Sequence, residues 1–556
     1  MHSLKFIVVI GLMLSFFCGC QRGVSEAFKS CWGENLPEGA ERLPNGRVVF
    51  PVGIQIPVNG SPQGLALTPD GRTLIATLNG LGRVYSHSLL TLDTATESIE
   101  YLELPTLFLG LAVSPDGQRA YASGGGDDVV YVLRVDPGKI SYEGSIPVPG
   151  FPAGLTVSPT GEVFVACSQD NTVRVIDPSL MAVTVTIPTP YSSYPWAVLG
   201  DREGKKVYMT NRGNGTVTSI SPELSMVKII RLGDNSHPSS LALSPDGGRV
   251  YVANANADTI ASIAGVPDLL EVIYDIGPSA EGRPGSIPTA LALSPDGERL
   301  YVALAGENAV SVYSTHDMTL LGKIPTGWYP SALALSPDGG RLYVANAKGK
   351  TVFALFPEMT GSISIVDLSE GPELRRGIQR VAQNNCFGAY SGEKVPGMNN
   401  VRYVVVIERE GKTFDSFLGD MGPLRFGDPT RVRIPREMTP NVHALAETYA
   451  LSPFFFTDGE APAQNRYWRF SAYTSDFLER TWPSSYGPHN RTPDDLSPIA
   501  QSPAGTIFEA CDQRKIAVKI YGEVLPENSV LQGFTSTDYA NAFSDVARAD
   551  VFIKDL

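Results

Sequence analysis

A four-residue turn recurs seven times along this chain, and that recurrence restricts the fold more than any other feature. The turns are Thr68-Pro69-Asp70-Gly71, Ser114-Pro115-Asp116-Gly117, Ser158-Pro159-Thr160-Gly161, Asp201-Arg202-Glu203-Gly204, Ser244-Pro245-Asp246-Gly247, Ser294-Pro295-Asp296-Gly297 and Ser336-Pro337-Asp338-Gly339. Successive starts are 46, 44, 43, 43, 50 and 42 residues apart. The tetrad is turn chemistry: Pro presets φ, Asp bonds back to nearby backbone, and Gly accepts a positive φ. Six units place a Pro six residues before the turn (Pro62, Pro152, Pro195, Pro238, Pro288 and Pro330), with Phe108 the exception. Alternating runs such as Leu241-Ala242-Leu243 lie between Pro and turn, and Tyr251-Val252-Ala253-Asn254 or Tyr343-Val344-Ala345-Asn346 follows it. A period in the low forties with four short β-rich runs per unit predicts propeller blades. A strand near 48–57 is expected to pair with one near 361–368, since closing the ring removes exposed sheet edges.

These units resemble the YVTN family of β-propeller repeats found in bacterial and archaeal surface proteins, over residues 45–370. Within them the residues leave open questions. Asn254 and Asn346 either face a ligand or stabilise their turns, and Trp196 and Trp328 either line a binding surface or pack between blades. The long fifth step carries a Gly/Pro-rich loop around Gly277–Ser286 without convergent acids, bases or metal ligands. The platform shows no chemistry of its own.

Lys5 precedes an apolar run from Phe6 to Phe17 that is broken only by Ser15 and leads to Cys18-Gly19-Cys20. Twelve helical residues rise roughly 18 Å, too short for a bilayer core of roughly 30 Å, so the run reads as a secretory signal over 1–20. Its Gly19-Cys20 ending resembles the lipobox of bacterial lipoproteins, which implies lipid attachment at Cys20 and a membrane anchor. Gln21, rather than Asp, then resembles an outer-membrane sorting signal. Residues 21–44 read as an N-terminal linker. Cys31, Cys167, Cys386 and Cys511 would meet an oxidising compartment, with their pairing open. Lys plus Arg at 44 against Asp plus Glu at 58 gives a net charge of −14. Such a surface repels phosphate backbones, so no nucleic-acid partner is expected.

Residues 371–397 read as an aperiodic linker. Val401–Ile407 then suits a buried parallel strand. It leads through Glu408-Arg409-Glu410-Gly411-Lys412-Thr413-Phe414-Asp415 to Thr439-Pro440-Asn441-Val442-His443, and on to Tyr473-Thr474-Ser475-Asp476-Phe477. This order resembles the phosphoesterase family of bacterial phospholipases C and acid phosphatases, within the alkaline-phosphatase superfamily. The resemblance implies an incomplete α/β domain over 398–556 and, in family members, a hydroxyl nucleophile activated by divalent metal. The family reads Glu-Asn-Arg after the first strand; here Glu410 keeps the Glu, as a weak candidate metal ligand, while Gly411 and Lys412 replace the others. Six residues before Trp468, at the family's nucleophile position, stands Pro462. The Asp and His that follow the nucleophile in propeller-fused relatives are Gln464 and Arg466. Ser471, Thr474 and Ser475 supply nearby hydroxyls better suited to surface or capping roles, and His443 suits a structural hydrogen bond. Glu408 and Glu410 share a strand face. Asn465-Arg466-Tyr467-Trp468 keeps an Arg either for an anion or packed on aromatics.

The expected architecture is therefore mainly β: a seven-bladed propeller followed by a partial α/β alkaline-phosphatase-like domain. The expected function is binding or scaffolding by an exported, membrane-anchored bacterial envelope lipoprotein. Its propeller face would recognise an envelope protein or polymer, beside a vestigial pocket (Glu410, Gly411, Gln464, Arg466) with no catalytic residue and no cofactor. The alternatives are a metal-dependent phosphoesterase, which would need a divalent cation, or a truncated product of such an enzyme, since the family's late ligands lie beyond Leu556.

Overall fold

The computed structural model describes residues 8–11, 32, 36–43, 46–80, 86–221, 226–277, 285–349, 360–369, 373–387, 401–408, 413–421, 427–449, 451, 459, 461–486, 498–518 and 553. Among them, seven four-stranded antiparallel sheets follow one another. Blade 1 runs Ser61–Leu67, Thr73–Asn79, His87–Asp93 and Ile99–Leu104. The first strands of the blades neighbour one another in order, and that of blade 7 (Trp328–Leu335) neighbours that of blade 1, so the sheets form a closed ring. Closure uses both ends of the repeat region. The strand Ile54–Asn59 is the outermost of blade 7, pairing antiparallel with Thr360–Asp367 from Asn59↔Thr360 to Ile54↔Ile365.

Each tetrad sits between a blade's first and second strands. In blade 1 the Gly71 amide donates to the Thr68 carbonyl at 2.8 Å, the Thr68 hydroxyl to Asp70 Oδ1 at 2.5 Å, and the Arg72 amide to the same carboxylate at 3.0 Å. All seven tetrad glycines have φ between 71° and 95°. Blade 4 lacks the Pro and keeps the turn, because Asp201 accepts the Lys205 amide at 2.8 Å.

Apolar layers between neighbouring blades form the core, as where Tyr251, Ala253 and Ile260 of blade 5 meet Leu300, Val302 and Leu304 of blade 6. Nearest the axis, blades meet backbone to side chain. The position two after the repeat Pro or Phe108 is always small: Gly64, Gly110, Gly154, Ala197, Ser240, Ala290 and Ala332. At Gly110 a Cβ would lie 2.0 Å from the Ala153 carbonyl oxygen of the next blade.

The C-terminal part departs from the expectation of an α/β domain. Its described residues form helices α1 (Glu373–Asn384), α2 (Phe414–Leu418), α3 (Pro440–Thr448), α4 (Pro462–Ser471), α5 (Asp476–Tyr486) and α6 (Ile507–Gln513), with one strand, Val405–Glu408. A doubly covered parallel sheet needs several such strands with helices on both faces. Here Val404 and Val406 are more than half exposed, so the apolar run is not buried as expected. The region is small and helical, and no alkaline-phosphatase fold is present among the described residues. Val405–Glu408 finds its partner instead in Val8–Gly11, inside the segment read as a signal. The register sets Val8-Val9-Ile10 against Val405-Val406-Ile407, two β-branched runs of identical composition.

The linker expected at 371–397 holds α1. Leu374, Ile378 and Val381 recur at helical spacing, and Leu374 packs against the core between blades 6 and 7. Gly377 permits the approach, because a Cβ there would meet the Lys323 carbonyl at 1.7 Å. Cys386 is disulfide-bonded, whereas Cys167 and Cys511 are free. Burial pushes the Cys167 thiol up to about 12, which keeps it protonated and unreactive.

Gly110→Ala tests the close approach of the blades. The added methyl must displace backbone, so the variant should lose about 1–3 kcal/mol of stability and melt at a lower temperature by circular dichroism.

Candidate functional site

The most heavily functionalised part of the ring is one end of its central channel, where the first strands begin. The residues just before the repeat Pro there are Phe151, Tyr194, His237, Ile287 and Tyr329, with φ of 62°, 46°, 48°, 53° and 63°. Left-handed backbone is uncommon for large side chains. Here it is held from both sides. Asp128, Asn171, Asp258 and Asn308, each in the preceding blade, accept the amides of Phe151, Tyr194, Ile287 and Tyr329 at 2.7–3.1 Å. The carbonyls of Phe151, Tyr194, His237 and Ile287 accept the amides of Ser168, Arg212, Ala255 and Ala305 at 3.0–3.1 Å. Hydroxyls tie the blades together at the same level: Ser239 donates to Pro288 O at 2.8 Å, Thr289 to Pro330 O at 2.7 Å, and Ser331 to Pro62 O at 2.7 Å.

Four residues break the repeat at this mouth. After the Pro come Ala153, Ser239, Thr289 and Ser331 in blades 3, 5, 6 and 7, but Trp196 in blade 4 and Gln63 in blade 1. The residue after the Pro's cross-strand partner is Ser168, Ala255, Ala305 or Ala347 in blades 3, 5, 6 and 7, but Asn79 in blade 1 and Arg212 in blade 4. Trp196, Gln63 and Arg212 hold α5. Every residue from Tyr473 to Trp482 is buried, an unusual fate for a run containing Asp476, Glu479 and Arg480.

Asp476 is the centre of the contact. Its Oδ2 lies 2.6 Å from Arg212 Nη2, with both side chains 0% exposed, and its Oδ1 accepts from the Tyr329 hydroxyl at 2.7 Å. The Arg212 guanidinium lies 4.5 Å from the Trp196 ring centroid, a cation–π arrangement. Phe477 packs edge-on to Tyr194 at 5.5 Å and near Trp196 at 6.4 Å. Glu479 pairs with Lys348 at 2.6 Å. Arg480 donates from Nε to Gln63 Oε1 at 3.0 Å and from Nη2 to Gln63 O at 2.7 Å. Tyr473 joins Ala255, Ile287, Ala305, Tyr329 and Ala347 in an apolar cluster.

Burial, then the Asp476 charge, raises the Tyr329 hydroxyl well above its usual range, so it stays protonated and donates. Burial, reinforced by the Arg212 charge, lowers His237 to about 3, so it is neutral and adds no charge to the mouth. A buried ion pair adds little net stability, because desolvation offsets most of the attraction, yet removing one partner strands a charge at about 3–5 kcal/mol. The pair therefore specifies where α5 docks.

The residues singled out in the sequence do not assemble into a pocket. Cys20, Glu410 and Gly411 lie outside the described residues. Pro462 opens α4, and Gln464 is buried there, accepting the Ala461 amide at 2.8 Å. Arg466 lies on the same helix, where an offset of two residues from Gln464 points to a different face. His443 is buried as a structural residue, Nε2 to Asp420 at 2.8 Å and Nδ1 to Thr439 O at 2.9 Å. Its bond holds the Asp420 carboxyl below the usual range. Ser475 caps α5 and donates to Ala500 O at 3.0 Å. Asn254 and Asn346 donate across strands, to Thr259 at 3.0 Å and to Ser364 at 2.9 Å. Trp196 packs within the mouth, and Trp328 lies 5.2 Å from the Lys348 ammonium. Among the described residues no three His, Cys, Asp or Glu side chains converge as metal ligands would. Arg212, Gln63 and Lys348 were missed by reading motifs; comparing each blade with its siblings exposes Arg212 and Gln63.

The choice-of-anchor I domain matches residues 307–423, and the WD domain G-beta repeat matches residues 153–177. Similar solved structures include hydrazine synthase of Kuenenia stuttgartiensis, at 21% identity and TM-score 0.45 over 56% of this chain and 96% of that one. Virginiamycin B lyase from Staphylococcus aureus follows at 15% identity and TM-score 0.44, covering 57% and 100%. A streptogramin B lyase structure gives 18% identity and TM-score 0.44, covering 57% and 97%. No curated protein matches the chain.

Arg212→Ala should destabilise the folded protein by about 3–5 kcal/mol through the stranded Asp476 carboxylate, read by chemical denaturation. Acid provides a second test. His237 takes up a proton near pH 6.5 when unfolded and only near pH 3 when folded, so between those values the unfolded state binds more protons. Its contribution should be full above pH 6.5 and shrink as pH falls toward 3, by up to about 1.4 kcal/mol per unit. His237→Gln should flatten that part of the stability–pH curve.

Proposed function

We propose that this chain is an exported binding scaffold of the bacterial envelope, held at the membrane through Cys20, whose propeller recognises protein segments or polymers. The observation that carries the reading is the occupied channel mouth. Arg212, Trp196, Tyr329, Gln63 and Lys348 grip a peptide segment through charge-assisted bonds and ring contacts, which is the chemistry of a recognition surface. The polar groups there are desolvated and, among the described residues, only partly hydrogen-bonded, an arrangement suited to holding a partner. The disulfide at Cys386 supports folding in an oxidising compartment. The choice-of-anchor match over 307–423 supports export and surface anchoring. In this reading the phosphoesterase-like motifs between 398 and 486 are vestiges: Pro462, Gln464 and Arg466 stand where the chemistry would need a hydroxyl, an acid and an imidazole.

Two measurements test the proposal. Cys20→Ala should move the protein from the membrane fraction to the soluble envelope fraction; unchanged membrane association, or a mature N-terminus other than Cys20, contradicts the anchor. The purified chain should not turn over a chromogenic phosphodiester with added Zn²⁺, Mn²⁺ or Ca²⁺. Metal-dependent turnover abolished by Glu410→Ala would replace the scaffold with a hydrolase.

A further inference from the structure

We infer that the channel mouth is an exchangeable peptide site, in which α5 is a resident occupant displaced by a partner protein's segment carrying a carboxylate, an adjacent aromatic and a second carboxylate. This rests on the reading of the propeller as a binding module and names what it binds.

The spacing of the sought segment is that of Asp476, Phe477 and Glu479, whose side chains reach Arg212, Tyr194 and Lys348. The socket's own composition shows that α5 fills it incompletely. Arg212 gives Asp476 a single N–H, from Nη2, while its Nε and Nη1 are buried with no hydrogen-bond partner among the described residues. The Trp196 Nε1, Tyr194 hydroxyl and His237 Nδ1 around it are likewise buried and unpartnered there. A guanidinium favours two parallel bonds to one carboxylate, and a planar fork used at a single tine leaves binding strength unclaimed. An incoming carboxylate that engages Nε as well as Nη2 would satisfy more donors than Asp476 does.

The resident helix is also suited to leaving. It has 11 residues and contains Pro483, which removes a backbone bond, so it has little stability of its own away from the socket. Emptying the mouth outright would strand Arg212 among aromatic rings. Displacement therefore proceeds by replacement, one carboxylate for another, and the near balance of a buried pair's attraction and desolvation makes that exchange respond to competitor concentration. The departures of blades 1 and 4 from their own repeat, at Gln63, Trp196 and Arg212, build a socket for such a segment rather than a generic propeller end.

The test uses the full chain and a dye-labelled synthetic peptide of residues 473–486. In a chain carrying Asp476→Lys and Phe477→Ala, α5 is expelled by charge and by loss of its ring, and the peptide should bind saturably. The unmodified chain should bind at least about tenfold more weakly, because its site is occupied. Adding Arg212→Ala to the expelled chain, or replacing the peptide's Asp by Ala, should abolish binding. A folded, expelled chain that ignores the peptide overturns the inference, as does binding indifferent to Arg212 or to the peptide's Asp. If the expelled chain does not fold, the unmodified chain with excess peptide decides: faster amide exchange over residues 477–482 supports displacement, and unchanged exchange refutes it. A concentration-dependent dimer of the unmodified chain that is dissolved by the peptide would assign the site to a second copy and overturn the partner assignment. None of these outcomes alters the fractionation or turnover results, so the scaffold reading is judged separately.

Discussion

A guanidinium with no water around it must find an anion inside the protein, and Arg212 finds the carboxylate of Asp476. Both groups are fully buried at 2.6 Å, and the residues around them are arranged by that fact. Tyr329 takes the second carboxylate oxygen, Trp196 offers the face of its ring to the cation, and Phe477 fills the space beside both. None of this would be worth burying unless the backbone at the mouth were fixed first. The left-handed residues before the repeat prolines supply that frame: Asp or Asn side chains of the preceding blades accept the amides of Phe151, Tyr194, Ile287 and Tyr329, and the carbonyls of Phe151, Tyr194, His237 and Ile287 accept amides of their own blades.

The frame depends in turn on ring closure. Ile54–Asn59 joins the last blade to the start of the repeat region, and Ser331 bonds to Pro62 O across the same seam. With the ring closed, blades 4 and 7 are held at fixed positions, so Arg212 and Tyr329 converge on one carboxylate. The electrostatic contact decides where the helix docks, and the circular sheet packing supplies the rigidity that makes the decision sharp.

The blades were legible because their chemistry is local and repeated. A Pro, an alternating strand, a Ser-Pro-Asp-Gly turn and a buried second strand recur within about 20 residues of one another, a scale that turn and strand patterning reads well. The mouth was not legible in that way. Arg212 and Asp476 are 264 residues apart, and each looks ordinary in its own neighbourhood. The departure of Arg212 and Gln63 from sibling positions is a signal of a different kind, visible only once the repeats are aligned with each other. The C-terminal misreading has the opposite cause: Glu410, His443 and the Pro462–Trp468 spacing match a motif order, but motif order does not supply the parallel strands a sheet needs. Val406 stays exposed, and the strongest interactions of the 473–482 segment go to the propeller.

The central claim is that Arg212 and Asp476 act as a pair in holding α5, and a double-mutant cycle measures that directly. Arg212→Ala, Asp476→Ala and the double variant would be unfolded in denaturant beside the unmodified chain. The account predicts strong coupling: the double variant should be less destabilised than the sum of the two singles by more than about 1 kcal/mol, since removing both charges leaves neither stranded. Additivity to within about 0.5 kcal/mol would mean the two side chains do not depend on one another, and the docked helix would need another explanation.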